Sequence, residues 1–214
     1  MIRIYAGFDP REEAGYHAFC SSVIHNASAP VAIAPVHGKQ RDGTNAFTYA
    51  RFSVPRMQHF ADWALFVDGS DMICLGDIAE LWAMRDYRSA VQVVPHEYKT
   101  KHPRKDIGTQ MEADNHDYEK KNWSSVMLMN CAHPDWRYLD VANMTGEKLH
   151  RFEWTDRVSS LPMEWNWLAD EYGPNPDAKL LHWTAGIPAF PHYKDAPHAD
   201  QWWKSFNNAT HSTK

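Results

Sequence analysis

Apolar and polar positions follow two periods along this chain. Residues 2–6, Ile-Arg-Ile-Tyr-Ala, and residues 31–36 read as strands, the second weakened at its end by Pro35. Between them, 11–25 carries Ala14, Ala18, Phe19, Val23 and Ile24 at helical spacing, with two glutamates at the start, where the helix dipole favours acid. A polar loop over 38–45 follows, and 48–60 predicts a helix interrupted near Pro55. Residues 63–67, Trp-Ala-Leu-Phe-Val, form a continuous apolar run suited to a strand buried on both faces. A short helix is predicted over 77–84, with Asp77 as N-cap. Further strands are predicted over 90–94, 125–129 and 178–182, and helices over 134–142 and 164–171. The charged, histidine-rich stretch 96–121 reads as a long surface loop, either solvated or a mobile lid that orders over a bound ligand, and the tail is polar from about 207.

Strands alternating with helices predict an α/β fold, a mostly parallel central sheet with helices on both faces. No repeat or low-complexity segment divides the chain, and 214 residues suit a single domain over 1–214. With 43% hydrophobic and 23% charged residues, a disordered, collagen-like or coiled-coil chain is excluded. No apolar run approaches the roughly 20 residues of a membrane span, and the first residues do not read as a signal peptide. A formal charge of −5 provides no basic field for nucleic acid. Cys20, Cys74 and Cys131 are scattered without C-x-x-C spacing, which points to a reducing, cytoplasmic compartment and away from a disulfide framework or zinc knot. The patch Trp202, Trp203 and Phe206 carries too few cations for more than peripheral membrane contact, and packing against the domain is the favoured reading.

Candidate chemistry begins where the run 63–67 stops, at Asp68-Gly69-Ser70-Asp71. Ligands of open α/β sheets bind beyond the carboxyl ends of such strands. Gly69 permits a tight turn that aims both carboxylates at one point. Two close carboxylates repel, and a hard divalent cation relieves them. The same four residues also suit a solvated Asp-Gly turn that only caps a strand, and Asp9 before Pro10 has an equally plain reading as a turn residue. No glycine-rich loop followed by Lys-Ser/Thr is present, which counts against P-loop chemistry.

Residues 66–82, Phe-Val-Asp-Gly-Ser-Asp-Met-Ile-Cys-Leu-Gly-Asp-Ile-Ala-Glu-Leu-Trp, resemble the acidic-motif segment of GT-A glycosyltransferases, above all glycosyltransferase family 8 and its bacterial and phage relatives. In that family an Asp-x-Asp motif ends a strand; here two residues separate the acids. Thr48-Tyr49-Ala50-Arg51-Phe52 is similar to the family's arginine-bearing helix. Residues 122–130 are similar to its Asn-x-Gly-Val-x-x-x-Asn strand, with Ser124 and Ser125 at the small positions. His182-Trp183-Thr184-Ala185-Gly186-Ile187-Pro188 resembles its C-terminal His-x-x-Gly segment. The four segments follow the family's order and cover most of 1–190.

The resemblance implies a GT-A-like nucleotide-diphospho-sugar transferase fold. It implies a metal-dependent, retaining enzyme that moves a sugar from a nucleotide-diphosphate donor, UDP-linked by preference, to a glycan or other hydroxyl acceptor. Mn2+ or Mg2+ would be held by Asp71, Asp68 and His182, with Ser70 assisting. Ala6, Gly7, Phe8, Asp9, Gly69, Ser70 and Gly186 would line the donor site, and Arg51 would grip phosphate or a nearby carboxylate. Catalytic roles fall to Asp71, Arg51 and Glu164. Glu164 lies in the aromatic stretch 161–167, which suits a sugar but equally suits the start of an amphipathic helix. Apart from the resemblance, His182 also reads as a hydrogen-bonded strand-end histidine. Asn130 and Ser124 would reach sugar hydroxyls or merely satisfy strand ends. The family's lysine after the C-terminal glycine is missing, leaving Arg51, Lys194 or another cation to face the diphosphate. Two competing functions are a nucleotidyltransferase on a similar sheet and a non-catalytic nucleotide-sugar-binding module.

Overall fold

In the computed structural model, residues 1–39, 41 and 45–210 are described; part of the polar loop predicted at 38–45 and the end of the tail lie outside them. Strand β1 (Ile2–Gly7) runs through a 3-10 turn (Pro10–Glu12) into helix α1 (Glu13–Asn26), and β2 (Val31–Val36) returns beside β1. A 3-10 turn (Ala50–Ser53) leads into α2 (Val54–Met57). Pro55 occupies the first turn of α2, where its missing N–H costs nothing, so it opens this helix and does not interrupt one.

The apolar run forms β3 (Trp63–Val67), followed by β4 (Met72–Cys74), α3 (Ile78–Ala83) and β5 (Val91–Val93). The stretch read as a surface loop carries a small hairpin, β6 (Arg104–Lys105) against β7 (Ala113–Asp114). Then come β8 (Val126–Asn130), α4 (Asp135–Tyr138), α5 (Gly146–His150) and β9 (Val158–Ser160). The helix predicted over 164–171 is divided into a 3-10 turn (Met163–Asn166), β10 (Trp167–Leu168) and α6 (Ala169–Tyr172). The break has a cause. Trp165 and Asn166 both turn inward, and Leu168 pairs with His182 of β11 (Leu180–His182). The aromatic tail forms α7 (Ala199–Thr210), so residues 207–210, read as polar tail, are helical.

The main sheet has the order β2-β1-β3-β8-β5-β9. Its β1–β2, β1–β3 and β5–β9 pairings are parallel, and β8 runs antiparallel to both of its neighbours. Pro35 is tolerated because β2 lies at the sheet edge. Alternation along β3 divides the core in two. Trp63, Leu65 and Val67 face α1 and α3 residues such as Phe19, Val23, Ile78 and Leu81. Ala64 and Phe66 face Val54, Trp136 and Leu149 from α2, α4 and α5. Helices therefore cover both faces, as the pattern predicts. A second sheet, β10-β11-β4, packs with α7 through Ile73, Leu181, Trp183 and Trp202. Of the tail aromatics, Trp202 is buried against the protein and stacked on the half-buried Phe206 at 5.3 Å, while Trp203 stays 39% exposed. Among the described residues, no helix is long and apolar enough to cross a membrane, and all three cysteines are free.

Candidate metal and donor site

The acidic turn lies between the two sheets. Asp68 follows β3, and Asp71 precedes β4, which pairs with β11 so that Met72 stands opposite His182. Residues more than a hundred positions apart are joined by this pairing. The turn is held from below: Gly69 has φ +71°, and the Ser70 hydroxyl donates to the Gly7 carbonyl at 3.1 Å. A side chain at Gly69 would lie 3.0 Å from Ala6 Cβ and 3.1 Å from the Gly7 carbonyl, and one at Gly15 would lie 1.7 Å from the Ser70 carbonyl. Helix α1 and strand β1 therefore touch the turn backbone to backbone.

Asp68, Asp71 and His182 each direct one ligand atom into a space where all three atoms lie within 4.8 Å of one another. His182 Nε2 is 3.1 Å from Asp71 Oδ2, and its Nδ1 is 3.0 Å from Asn166 Oδ1. The amide of Asn166 is oriented by its other end, which donates to the Asn122 carbonyl at 3.1 Å. Its Oδ1 can only accept, so Nδ1 of His182 carries a proton and Nε2 faces the acids. Burial works against a charged His182, but the Asp71 carboxylate, helped by Asp68 and Asp170, outweighs it and holds the pKa above the ordinary histidine value. Asp71 Oδ1 is buried and has no hydrogen-bond partner among the described residues.

Arg51 does not project into open space. Its guanidinium stands 2.7 Å from Asp68 Oδ1, outside hydrogen-bond alignment, and donates to the carbonyls of Ser124 at 3.0 Å and Thr48 at 3.2 Å. It is therefore the carboxylate, of the two partners expected for Arg51, that it meets. Burial raises the Asp68 pKa; Arg51 opposes this and Asp71 adds to it, leaving the pKa raised overall.

The other expected residues divide. Ala6, Gly7, Gly69 and Ser70 are all buried around the turn. Phe8 meets Tyr16 edge to face at 5.1 Å. Asp9 is bound to Arg11 at 2.6 Å and accepts the Ala46 N–H at 3.2 Å. Burial would raise its pKa, but these bonds bring it down to about 2. Gly186 packs under Tyr193. Its neighbour Ala185 receives the Asp106 N–H at 2.7 Å and donates to the Asp170 carboxylate. Glu164 is not brought to the cluster. It borders a separate hollow with Gly76, Asn175 and Lys179, and its charge acts on Lys179. Asn130 is at the wrong end of its strand, because antiparallel β8 pairs Asn130 with Trp63 and brings Ser125 to Asp68. Lys194 is 71% exposed beside Asp195.

Several site residues were not legible in advance. Glu12, expected only as a first-turn acid, is buried, and its pKa is driven well upward by burial and then by Asp71, Asp106 and Asp9. Asp106 is pushed up to about 6, chiefly by burial. Lys105, next to it, lowers both carboxylates, and Arg11 also lowers Asp106. Of the two readings of 96–121, solvated surface and a lid over the donor, the second is the one that brings this stretch to the site.

These features define a GT-A-like glycosyltransferase fold. The chain superimposes on the galactosyltransferase LgtC, solved with donor and acceptor sugar analogues, with a TM-score of 0.66 and 13% identity over 100% of this chain and 98% of that one. The apo bifunctional glycosyltransferase WbbM gives 0.67 and 15% identity over 97% of this chain, which spans 50% of WbbM. Glycosyltransferase GlyE of Streptococcus pneumoniae TIGR4 gives 0.65 and 14% identity, covering 96% of this chain and 60% of GlyE. In sequence, the chain belongs to the family of Protein CDI of Arabidopsis thaliana, with 34% identity over 223 residues, covering 94% of this chain and 84% of that protein. No protein-family model matches it.

Proposed function

We propose that the chain is a metal-dependent glycosyltransferase that moves a sugar from a nucleotide-diphosphate donor, UDP-linked by preference, to the hydroxyl of a glycan or other acceptor. The observation that carries this reading is the convergence of Asp68, Asp71 and His182 around a buried Asp71 oxygen that lacks a partner. A hard oxygen pair with one imidazole suits Mn2+ or Mg2+. Asp71 and His182 Nε2 would hold the ion, with Asp68 completing the set, and the ion would supply Lewis acidity toward the departing diphosphate. Asn166 fixes the imidazole, as partners of metal-binding histidines do. Arg51 positions Asp68. Lys105, whose charge acts on Asp106, would add positive charge near the phosphates in place of the missing lysine. Ala6, Gly7, Phe8, Asp9, Gly69, Ser70 and Gly186 form the donor-facing floor and rim.

In the transfer, the acceptor oxygen bonds to the anomeric carbon as the sugar–phosphate bond breaks. The electron pair leaves with the nucleoside diphosphate, which takes the acceptor's proton. Retention of configuration follows the family 8 resemblance. The test is incubation with Mn2+ and a panel of nucleotide sugars, reading nucleoside diphosphate release and the product anomer by NMR. Turnover that is abolished by chelator supports the reading, and full turnover in chelator rejects the metal. Pyrophosphate release from a nucleoside triphosphate would instead indicate a nucleotidyltransferase. The altered spacing of the acids in Asp68-Gly69-Ser70-Asp71 and the missing C-terminal lysine favour a non-catalytic binding module as the second reading; donor binding without transfer or hydrolysis would establish it.

A further inference from the structure

The second sheet carries an open hollow at the end where β4 leaves and β10 and β11 enter. It holds about 600 Å3, within the range of small-ligand clefts. Asp71 and His182 stand at the opposite end of the same short strands. Lys179, in the hollow, is three residues before His182, so the two places lie about 10 Å apart along β11. Leu75, Met163 and Trp167 give the hollow its apolar lining, and Met163 is 39% exposed. The Trp167 indole N–H donates to the Gly173 carbonyl at 2.8 Å, and Tyr172 stands against the ring at 5.1 Å. Trp167 is thereby fixed, and what it offers the hollow is carbon.

The polar lining is unspent. Asn175 uses its Oδ1 to accept the Asp177 N–H at 3.0 Å, which leaves its Nδ2 to donate. The carboxylates of Glu164 and Asp177 accept no hydrogen bond among the described residues. The cation in the hollow, Lys179, is already paired with Glu80 and lies over the Trp165 ring. Acids without a free cation repel phosphate and carboxylate groups, so the ligand this lining suits is neutral. It needs an apolar face for Trp167 and hydroxyls to donate to the two carboxylates and accept from the amide.

We propose that this hollow binds a ring of a neutral glycan, and that the acceptor is such a glycan, held here by a ring remote from the one that receives the sugar. The acceptor role rests on the transferase reading above and narrows its acceptor to an oligosaccharide. Asn166 and Trp167 divide the work: Asn166 turns in to His182, and the next residue turns to the hollow. Glu164, which is not brought to the metal cluster, has its place here.

The test titrates maltohexaose, cellohexaose, xylohexaose and mannohexaose into the protein by saturation-transfer NMR, without metal or nucleotide. At least one of the four is expected to bind. Trp167→Ala should lower that affinity at least about tenfold, and Asp177→Ala about threefold to tenfold. Asp177 is exposed and its carboxylate holds nothing in the fold, so that variant reports on binding alone. Melting curves verify both variants, and UDP affinity in Mn2+ should stay within about twofold of the parent. A parent that binds none of the four chains, or variants that bind the chain as the parent does, would overturn the site and leave the transferase reading standing. A parent that binds a chain through Trp167 and Asp177 but binds no nucleotide sugar in Mn2+ would keep the glycan site and overturn the acceptor role together with the transferase reading.

Discussion

Arg51 and Asp68 meet at 2.7 Å, with side-chain exposures of only 6% and 12%. A charge pair so far out of water is held for position: each ion makes the other tolerable, and together they fix the first acid of the turn. Removing the arginine strands a carboxylate whose pKa burial already raises. Arg51→Ala is expected to lose about 3–5 kcal/mol of unfolding free energy. Arg51→Lys should fall between, since a point charge cannot also serve the Thr48 and Ser124 carbonyls. Urea unfolding measures both, and a fully stable alanine variant would contradict the role.

Asp71→Ala tests the ligand set. With Asp71 removed, His182 loses its 3.1 Å partner and the site loses its free oxygen. Transfer activity is expected to fall at least about 100-fold, the scale of losing one preorganised charge contact. Circular dichroism should be unchanged, because Asp71 is only partly buried.

Asn166→Ala separates holding the metal from orienting the ligand. His182 would keep Nε2 but lose the acceptor that fixes Nδ1. Mn2+ affinity is expected to drop about 10–100-fold, as when other outer partners of metal-binding histidines are removed. Calorimetric titration with Mn2+ gives the answer, and unchanged affinity would mean that the β4–β11 pairing alone orients the ring.

Gly15→Ala carries an inverted sign. Inside a helix, alanine is normally better than glycine by about 1 kcal/mol. Here the added carbon would lie 1.7 Å from the Ser70 carbonyl oxygen, so α1 or the acidic turn must move. Overpacking of this type costs about 1–3 kcal/mol. The melting temperature should fall, and Mn2+ binding should weaken with it.

Acid stability reports on Asp9. Its folded pKa, about 2, lies below the ordinary 3.8, so its bond to Arg11 stabilises the fold above the unfolded value and loses that effect as pH falls through about 2. An Arg11→Ala variant should therefore melt below the parent at pH 5. The gap should narrow as both are titrated toward pH 2 in a series of thermal scans.

The main strands and the acidic turn were legible because their signals are local: β3 is one unbroken apolar run, and Asp68-Gly69-Ser70-Asp71 is a contiguous phrase. His182 was reached through resemblance, and its pairing with β4 has no local signal at all. Strand direction was also silent. The run 125–129 looks the same whichever way it points, yet its reversal decides that Ser125, not Asn130, serves the site. Nothing local marked Glu12 as buried: the first-turn pattern places it only by the helix dipole, and the 3-10 turn over Pro10–Glu12 carries it inside. The predicted 164–171 helix failed for a tertiary reason: Leu168 has a strand partner.

Because β8 runs against its neighbours, β5 leaves the sheet and β8 enters it on the same side as Asp68. The whole stretch from His96 to Ser125 is therefore a single arch whose two feet stand on the ligand rim. Residues can be inserted into that arch or deleted from it without shifting the register of the main sheet. Relatives that handle different acceptors should accordingly differ in this one span more than anywhere else, with the sheet beneath left unaltered.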